Sequence, residues 1–192
     1  FTGVESQSYL WAGILLAWDA AGYRFGDKVA FVAGSSIFNS GFKQKVYYGL
    51  MNVTLMSAFN LTEEKTDQYI AALAGKRVRF IYGYASAIHQ IAQRVLLSQT
   101  KPAFSLKGVI CTAEMLTDAM RADISKAFGC PVFNQYGCND AGVSAFECEQ
   151  HNGFHLISSR AYVEVDSAGR LLATDLANDA FMVARYDTGD LV

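Results

Sequence analysis

The chain has 192 residues, 52% of them hydrophobic and 13% aromatic, enough to bury a core in one or two domains and to exclude the disordered class. A net charge of −2 and scattered Lys and Arg residues give no basic field for a phosphate backbone, so nucleic acid is not expected as a partner. The longest apolar run, around Leu10 to Ala21, is interrupted by Asp19 and falls short of the ~20 residues a bilayer span needs, so no membrane partner is expected either.

Phe1-Thr2-Gly3-Val4-Glu5 has neither the basic start nor the small-residue cleavage site of a signal peptide. Cys111, Cys130, Cys138 and Cys148 are too few and too widely spaced for a disulfide scaffold, and reduced thiols in the cytoplasm are the expectation. The lack of an initiator Met suggests a chain that begins mid-protein.

Helix and buried strand alternate along the first half, the pattern of an α/β protein whose mostly parallel sheet is flanked by helices. Leu10, Ile14, Ala17, Trp18 and Ala21 recur at helical spacing from about Glu5, and Gly22 supplies a stop. Lys28 to Ala33 is a short apolar strand, and Val53 to Met56 reads as the next. Thr62 can cap a helix whose buried face carries Tyr69, Ile70 and Leu73 and which Gly75 ends. Val78 to Tyr82 is a strand, turned by Gly83-Tyr84-Ala85-Ser86 into a helix running to about Ser98. Gly108 to Thr112 is a strand, a helix opens at Thr117-Asp118-Ala119-Met120, and Phe128-Gly129-Cys130 leads into the strand Pro131 to Asn134.

From Gly142 the period shifts to the alternation of antiparallel strands, with Tyr162 to Val165 and Leu171 to Thr174 joined by Asp166-Ser167-Ala168-Gly169. Two parts are therefore expected: an α/β subdomain over 1–141 and a β-rich segment over 142–192.

Parallel sheets bind ligands beyond the carboxyl ends of their strands, so the strand-to-loop junctions are the places to look for chemistry. Cys111-Thr112-Ala113-Glu114 sets a hydroxyl and a carboxylate at one such end; the same residues also suit a plain helix-entry turn with Thr112 or Thr117 as cap. Asn134-Gln135-Tyr136-Gly137 sets amides and an aromatic ring at another, with Asp140 just beyond. An amide can read an adenine edge, a ring can stack on its face, and a carboxylate can hold Mg²⁺ against phosphate oxygens, though a loop with a buried Tyr fits equally. Thr188-Gly189-Asp190 offers backbone approach and a carboxylate for ribose hydroxyls, or simply a turn.

Cys138, Cys148, His151 and His155 fall within one short stretch, and thiolate with imidazole suits tetrahedral Zn²⁺, giving a candidate structural zinc site beside the reading of buried thiols and solvent-facing imidazoles. His89 reads as a packing or pocket residue. Tyr47, Tyr48, Phe59, Phe80, Tyr82 and Tyr84 can shape an aryl-acid pocket or simply fill the core. Phe38, Phe42, Lys43, Lys45, Tyr47 and Tyr48 make a basic and aromatic patch that can face substrate or a second subunit, which would make a homodimer.

Taken in order, Tyr82-Gly83-Tyr84-Ala85-Ser86-Ala87, Cys111-Thr112-Ala113-Glu114, Asn134-Gln135-Tyr136-Gly137, Ala145-Phe146-Glu147-Cys148 with Gly153-Phe154-His155, Ala173-Thr174-Asp175-Leu176 and Tyr186-Asp187-Thr188-Gly189-Asp190 resemble the motif series of the adenylate-forming superfamily. The Glu-Cys and Gly-x-His pieces resemble its phenylacetate-CoA ligase and CapK branch. The resemblance implies part of the large domain of a ligase that activates a carboxylic acid, aryl or arylacetic, with ATP and Mg²⁺ to an acyl-adenylate and passes the acyl group to coenzyme A.

By position, Thr112, Ala113, Glu114, Asn134, Gln135, Tyr136, Gly137 and Asp190 would bind the nucleotide. Tyr82, Tyr84 and Ala85 would meet the acid. Asp140 would be the catalytic residue and Mg²⁺ ligand where the superfamily has Glu. Asn139 in place of Thr, and Asp187 in place of Arg, are further departures. The superfamily's phosphate loop would precede Phe1 and its C-terminal lid with the catalytic Lys would follow Val192, so the chain is expected to be inactive alone. Two alternatives share the fold: a non-CoA acceptor, as in capsule or secondary metabolism, and a non-catalytic nucleotide-binding homologue.

Overall fold

The computed structural model describes residues 3–34, 42–98 and 103–192. The chain forms two compact units, one of residues 21–134 and one in which residues 1–20 join residues 135–192. The division differs from the expected 1–141 and 142–192, because the first helix goes with the C-terminal part.

In the 21–134 unit, β1 (Val29–Ala33), β2 (Val53–Ser57), β3 (Phe80–Tyr84) and β4 (Gly108–Thr112) lie in the order β2-β1-β3-β4, all parallel, with the start of β5 (Val132–Cys138) next to β4. The strands are short and apolar on both faces, as a covered parallel sheet requires, and β1 is buried at all five positions. Helices α2 (Phe42–Leu50), α3 (Glu63–Gly75), α4 (Ala85–Leu97) and α5 (Asp118–Phe128) fill the connections.

Helix α4 shows why the pattern was readable. Ala85, Ile88, Ile91, Ala92 and Val95 return at helical spacing and are buried, with Ile88 and Ile91 fully so. Each such Ile contributes about 1.5–3 kcal/mol by burial. The expected caps are present: the Thr62 and Thr117 hydroxyls accept from Lys65 N–H and Met120 N–H at 3.2 Å, and Gly129 closes α5 in the left-handed conformation. His89 packs α4 to α5 through Asp123, Nε2 to carboxylate 2.9 Å. Arg94 reaches from α4 to α3, its fork donating to both Asp67 carboxylate oxygens at 2.8 and 2.7 Å.

Helix α2 had no strong signal in the sequence, where its residues read as a patch. Phe38 lies outside the described residues, as do the side chains of Phe42, Lys43 and Lys45. Tyr47 and Tyr48 stack edge to face, ring centroids 5.5 Å apart.

In the other unit α1 (Val4–Ala20) lies on β6 (Val143–Phe146), close enough that a Cβ at Gly13 would stand 3.1 Å from the Ser144 hydroxyl. β6 pairs antiparallel with the end of β5, and with the two-residue β7 (His155–Leu156) on its other side. A second sheet, in the order β10-β9-β8, joins β8 (Ala161–Val165), β9 (Arg170–Asp175) and β10 (Tyr186–Leu191), antiparallel throughout. Ala141, Val143, Ala161, Leu171 and Ala173 form this unit's small apolar core. Among the described residues no helix is long and apolar enough to cross a membrane.

Candidate nucleotide site

At the carboxyl end of β4 the chain leaves the sheet through Thr112, half-buried, and Ala113 and Glu114, both exposed. Ala113 has φ +65°, a left-handed conformation that costs a non-glycine residue about 1–2 kcal/mol and so marks a loop held in place by its surroundings. One such constraint is Glu114, whose carboxylate accepts from the Ser86 N–H at 2.8 Å at the start of α4. An acidic group there also complements the helix dipole. The hydroxyl of Thr112 bonds that of Tyr82.

Tyr82 itself is buried and packs edge to face on Phe31 at 4.7 Å. Burial pushes its hydroxyl well above the usual tyrosine range, with Thr112 pulling the other way. Ala85 has no exposed surface and belongs to the apolar core. Of the three residues expected to meet an acid, Tyr84 alone is partly open, with its hydroxyl 3.0 Å from where a Cβ on Gly34 would stand and the Phe59 ring beside it at 3.4 Å.

β5 does not stop at Asn134, as the sequence suggested, but runs to Cys138 because residues 135–138 find ladder partners in β6. Strand alternation then sorts its side chains: Asn134, Tyr136 and Cys138 share one face, while Gln135 is buried on the other. Gln135 therefore does not stand beside Tyr136, and its side-chain oxygen has no hydrogen-bond partner. Gly137, next after Tyr136 along the strand, is exposed.

The Tyr136 hydroxyl donates to the Asp190 carboxylate at 2.5 Å, across 54 residues of sequence. Asp190 is carried there by an irregularity in β10: ladder pairing with β9 shifts between Asp187 and Leu191, and Gly189 takes φ +80°. Bulges of this kind re-aim side chains. The Thr188 hydroxyl donates to the Leu171 carbonyl and accepts from the Asp190 N–H at 3.1 and 3.2 Å, fixing the bulge. Burial, and then the hydrogen bond to Asp190, hold the Tyr136 hydroxyl far above its usual range, so the phenol stays protonated as donor.

Asp140 sits exposed on the one-turn 3-10 helix Asn139–Ala141 that links β5 to β6. Its neighbour Asn139 accepts through Oδ1 from Arg160 at 3.4 Å. Asp187, the acidic departure in the last motif, is held by Arg170 at 2.8 Å. It is a paired side chain of the β-sheet.

The zinc site is not formed. Among the described residues no three His, Cys, Asp or Glu side chains come together to hold a metal. Ladder register explains why: Cys138 pairs with Val143, whereas His155 pairs with Phe146 at the far end of the same hairpin and lies against its ring at 5.6 Å. His151 turns instead to Glu147, Nδ1 to carboxylate 3.2 Å. Cys130, buried near the start of β5, has its thiol pushed up to about 12 by burial and is inert at neutral pH.

Arg160, which no sequence pattern marks, is 2% exposed, and its guanidinium donates to the Ser144 hydroxyl as well as to Asn139. It falls in a loop with no periodicity, and its burial depends on partners far along the chain.

The donors and acceptors fit a nucleotide with a metal-bound phosphate in two respects. Asp140 is an exposed carboxylate suited to a hard cation, and Tyr136 with Asp190 offers a flat ring beside a carboxylate.

No established family profile matches the chain. Among solved structures it superposes on 2-hydroxyisobutyryl-CoA ligase, in an open conformation in complex with 2-HIB-AMP and CoA, with a TM-score of 0.74 at 18% identity, over 97% of this chain and 44% of that one. It also superposes on the anthranilate CoA ligase AuaEII in complex with anthranoyl-AMP, with a TM-score of 0.55 at 13% identity, over 88% and 35% of the two chains. The fold is that of the adenylate-forming ligases. In sequence the chain is 31% identical over 186 aligned residues to protein CapK of Staphylococcus aureus, an alignment that takes in 87% of this chain and 38% of CapK. The chain is thus similar to the adenylate-forming ligases in fold and to CapK in sequence. The chain spans less than half the length of either CapK or 2-hydroxyisobutyryl-CoA ligase.

Proposed function

We propose that this chain is the nucleotide- and acid-binding part of an enzyme that activates a carboxylic acid with ATP and transfers the acyl group to coenzyme A. The observation that carries the reading is the hydrogen bond from Tyr136 to Asp190. It sets the ring assigned to adenine beside the carboxylate assigned to ribose, two groups whose pairing the motif order alone implied.

In the first step an oxygen of the substrate carboxylate attacks the α-phosphorus of ATP and the bond to the pyrophosphate oxygen breaks. Acyl-adenylate and pyrophosphate result. In the second, a thiolate attacks the acyl carbon and AMP leaves. Tyr136 gives the adenine a face to stack on, and Asp190 accepts from the ribose hydroxyls. Thr112, Ala113 and Glu114, on the loop after β4 whose backbone is strained at Ala113, are the other residues assigned to the nucleotide. Bound at Asp140, Mg²⁺ would supply neutralisation of phosphate charge. Asp has a shorter reach than the Glu of the superfamily, and here it stands exposed on the 3-10 turn.

An aryl or arylacetic acid is the proposed substrate class, favoured by Tyr84 and Phe59 converging on the bare Gly34 backbone and by the anthranilate ligase among the fold relatives. Asp187 is engaged by Arg170, which also pairs with Asp166, so this acidic departure belongs to an ion-pair cluster of the sheet.

The test is acid-dependent ATP–pyrophosphate exchange by the intact protein, with Mg²⁺ and a panel of aryl and short aliphatic acids, beside Asp140→Ala. Exchange with an aryl acid that the variant loses supports the reading. ATP binding without exchange for any acid would replace it with a binding protein.

A further inference from the structure

Arg160 is a buried cation in the smaller core of the molecule, and its contacts converge on one turn. One arm of its guanidinium donates to the Ser144 hydroxyl on β6, and the other donates to Asn139 Oδ1 at 3.4 Å. Asn139 and Ser144 lie on opposite limbs of the β5–β6 hairpin, just outside the last ladder pair, Cys138 with Val143, on one side and just inside it on the other. The fork therefore clasps the hairpin across its closing turn, whose tip is Asp140.

A counter-charge is supplied from β9. Burial pulls Arg160 below the usual arginine range, and the attraction of the Asp175 carboxylate opposes that shift only in part. The Asp175 carboxylate also lies against the backbone of Gly142, the residue that ends the turn: a Cβ there would stand 2.5 Å from its carboxyl carbon. Among the described residues, Arg160 Nε and Asp175 Oδ2 are both buried and have no hydrogen-bond partner, so these two atoms are not bonded to each other. The Leu176 N–H donates to the Arg160 carbonyl at 2.9 Å, which ties the Ala173-Thr174-Asp175-Leu176 motif to the same hub.

A buried ion of this kind is a poor source of stability and a good means of fixing one geometry. We infer that Arg160, seated by Asp175, is a positioning residue that sets the Asn139–Ala141 turn and so aims the Asp140 carboxylate. The inference rests on the proposed role of Asp140 in metal–nucleotide binding. A lysine cannot span two acceptors with a planar fork, so Arg160→Lys keeps the charge and loses the clasp.

The experiment is equilibrium binding of ATP by the intact protein and by Arg160→Lys, with Mg²⁺ and again with EDTA, together with hydrogen exchange of the β5–β6 hairpin. Loss of a supporting contact behind a metal ligand typically weakens metal-dependent binding about tenfold or more. Arg160→Lys is expected to lose that factor for Mg·ATP, to bind ATP in EDTA as the parent does, and to exchange faster next to the turn with the β8–β9 ladder unchanged. Equal Mg·ATP affinity, or an equal fall with and without Mg²⁺, overturns the inference. Should Arg160→Lys fail to fold, Asn139→Ala removes the exposed acceptor alone; the same split is expected, and unchanged Mg·ATP affinity overturns it. If the parent binds no ATP, the nucleotide reading fails, and the exchange measurement still decides whether Arg160 holds the turn.

Discussion

Replacing Gly83 with alanine tests how closely β1 and β3 approach. A Cβ at Gly83 would stand 1.9 Å from the Val32 carbonyl oxygen, 2.7 Å from its carbon and 3.0 Å from Val32 Cα, all backbone atoms that no rotamer change can move. Ordinary contact begins at 3.4 Å, so the strands must part locally by about 1.5 Å, which the N–H···O bonds of the ladder do not survive. Gly83 also has φ +154°, where side chains are rare. Unsatisfied buried ladder groups cost about 1–3 kcal/mol and forced backbone displacement in a packed core about as much again. The expected loss is therefore about 2–6 kcal/mol, a large share of the ~5–15 kcal/mol that holds a domain. Urea unfolding followed by far-UV circular dichroism measures it. A Gly83→Ala protein within about 1 kcal/mol of the parent would refute the close-approach argument.

Further outcomes follow from other positions. Ala113→Gly removes the left-handed strain after β4 and should raise stability by up to about 1 kcal/mol in the same unfolding assay, while loosening the loop and weakening ATP binding. Gly142→Ala, whose new Cβ meets the Asp175 carboxylate at 2.5 Å from a left-handed residue, should destabilise the 135–192 region by about 1–3 kcal/mol, read as faster hydrogen exchange along β8 and β9. Asp67 is held below the ordinary carboxylate value of 3.8, first by its hydrogen bonds to Arg94. A depressed folded value stabilises above the unfolded one, so the cost of Asp67→Asn should be full at neutral pH and disappear as the pH falls below 3.8 and through the folded value, by acid titration of both proteins.

The fold was legible where pattern and packing agree. The α4 stripe, the two threonine caps and the apolar runs of β1 and β4 carry their periodicity in a few adjacent residues and formed as the spacing predicts, while β3 formed two residues later, at Phe80–Tyr84, taking in Gly83 and Tyr84 from the expected turn. Helix α2 was not legible, because its stripe is weak and aromatic residues suit strand, helix or pocket alike. The length of β5 was missed for a different reason: residues 135–138 become strand only because β6 folds back on them, a partner that local sequence does not announce.

At the candidate site, Tyr136 and Asp190 were named from motif order, and the structure joins them directly. Gln135, named with them, falls on the opposite face through simple strand alternation, a rule that could have separated the two once the strand was known to continue. The zinc expectation failed because closeness in sequence is not closeness across a ladder: hairpin register sends Cys138 and His155 to opposite ends. Arg160 left no trace in the sequence, since a buried arginine is recognisable only with its partners Ser144, Asn139 and Asp175 in view.

The most direct test of the proposed nucleotide site is calorimetric titration of ATP into the intact protein and into Asp190→Asn, which keeps the shape of the side chain and weakens its acceptance of ribose hydroxyls. The account predicts binding by the parent and affinity lower by about tenfold or more in the variant, the ~1.4 kcal/mol expected for loss of charge-assisted hydrogen bonds. Equal affinity in the two proteins, or no binding by the parent, would contradict it.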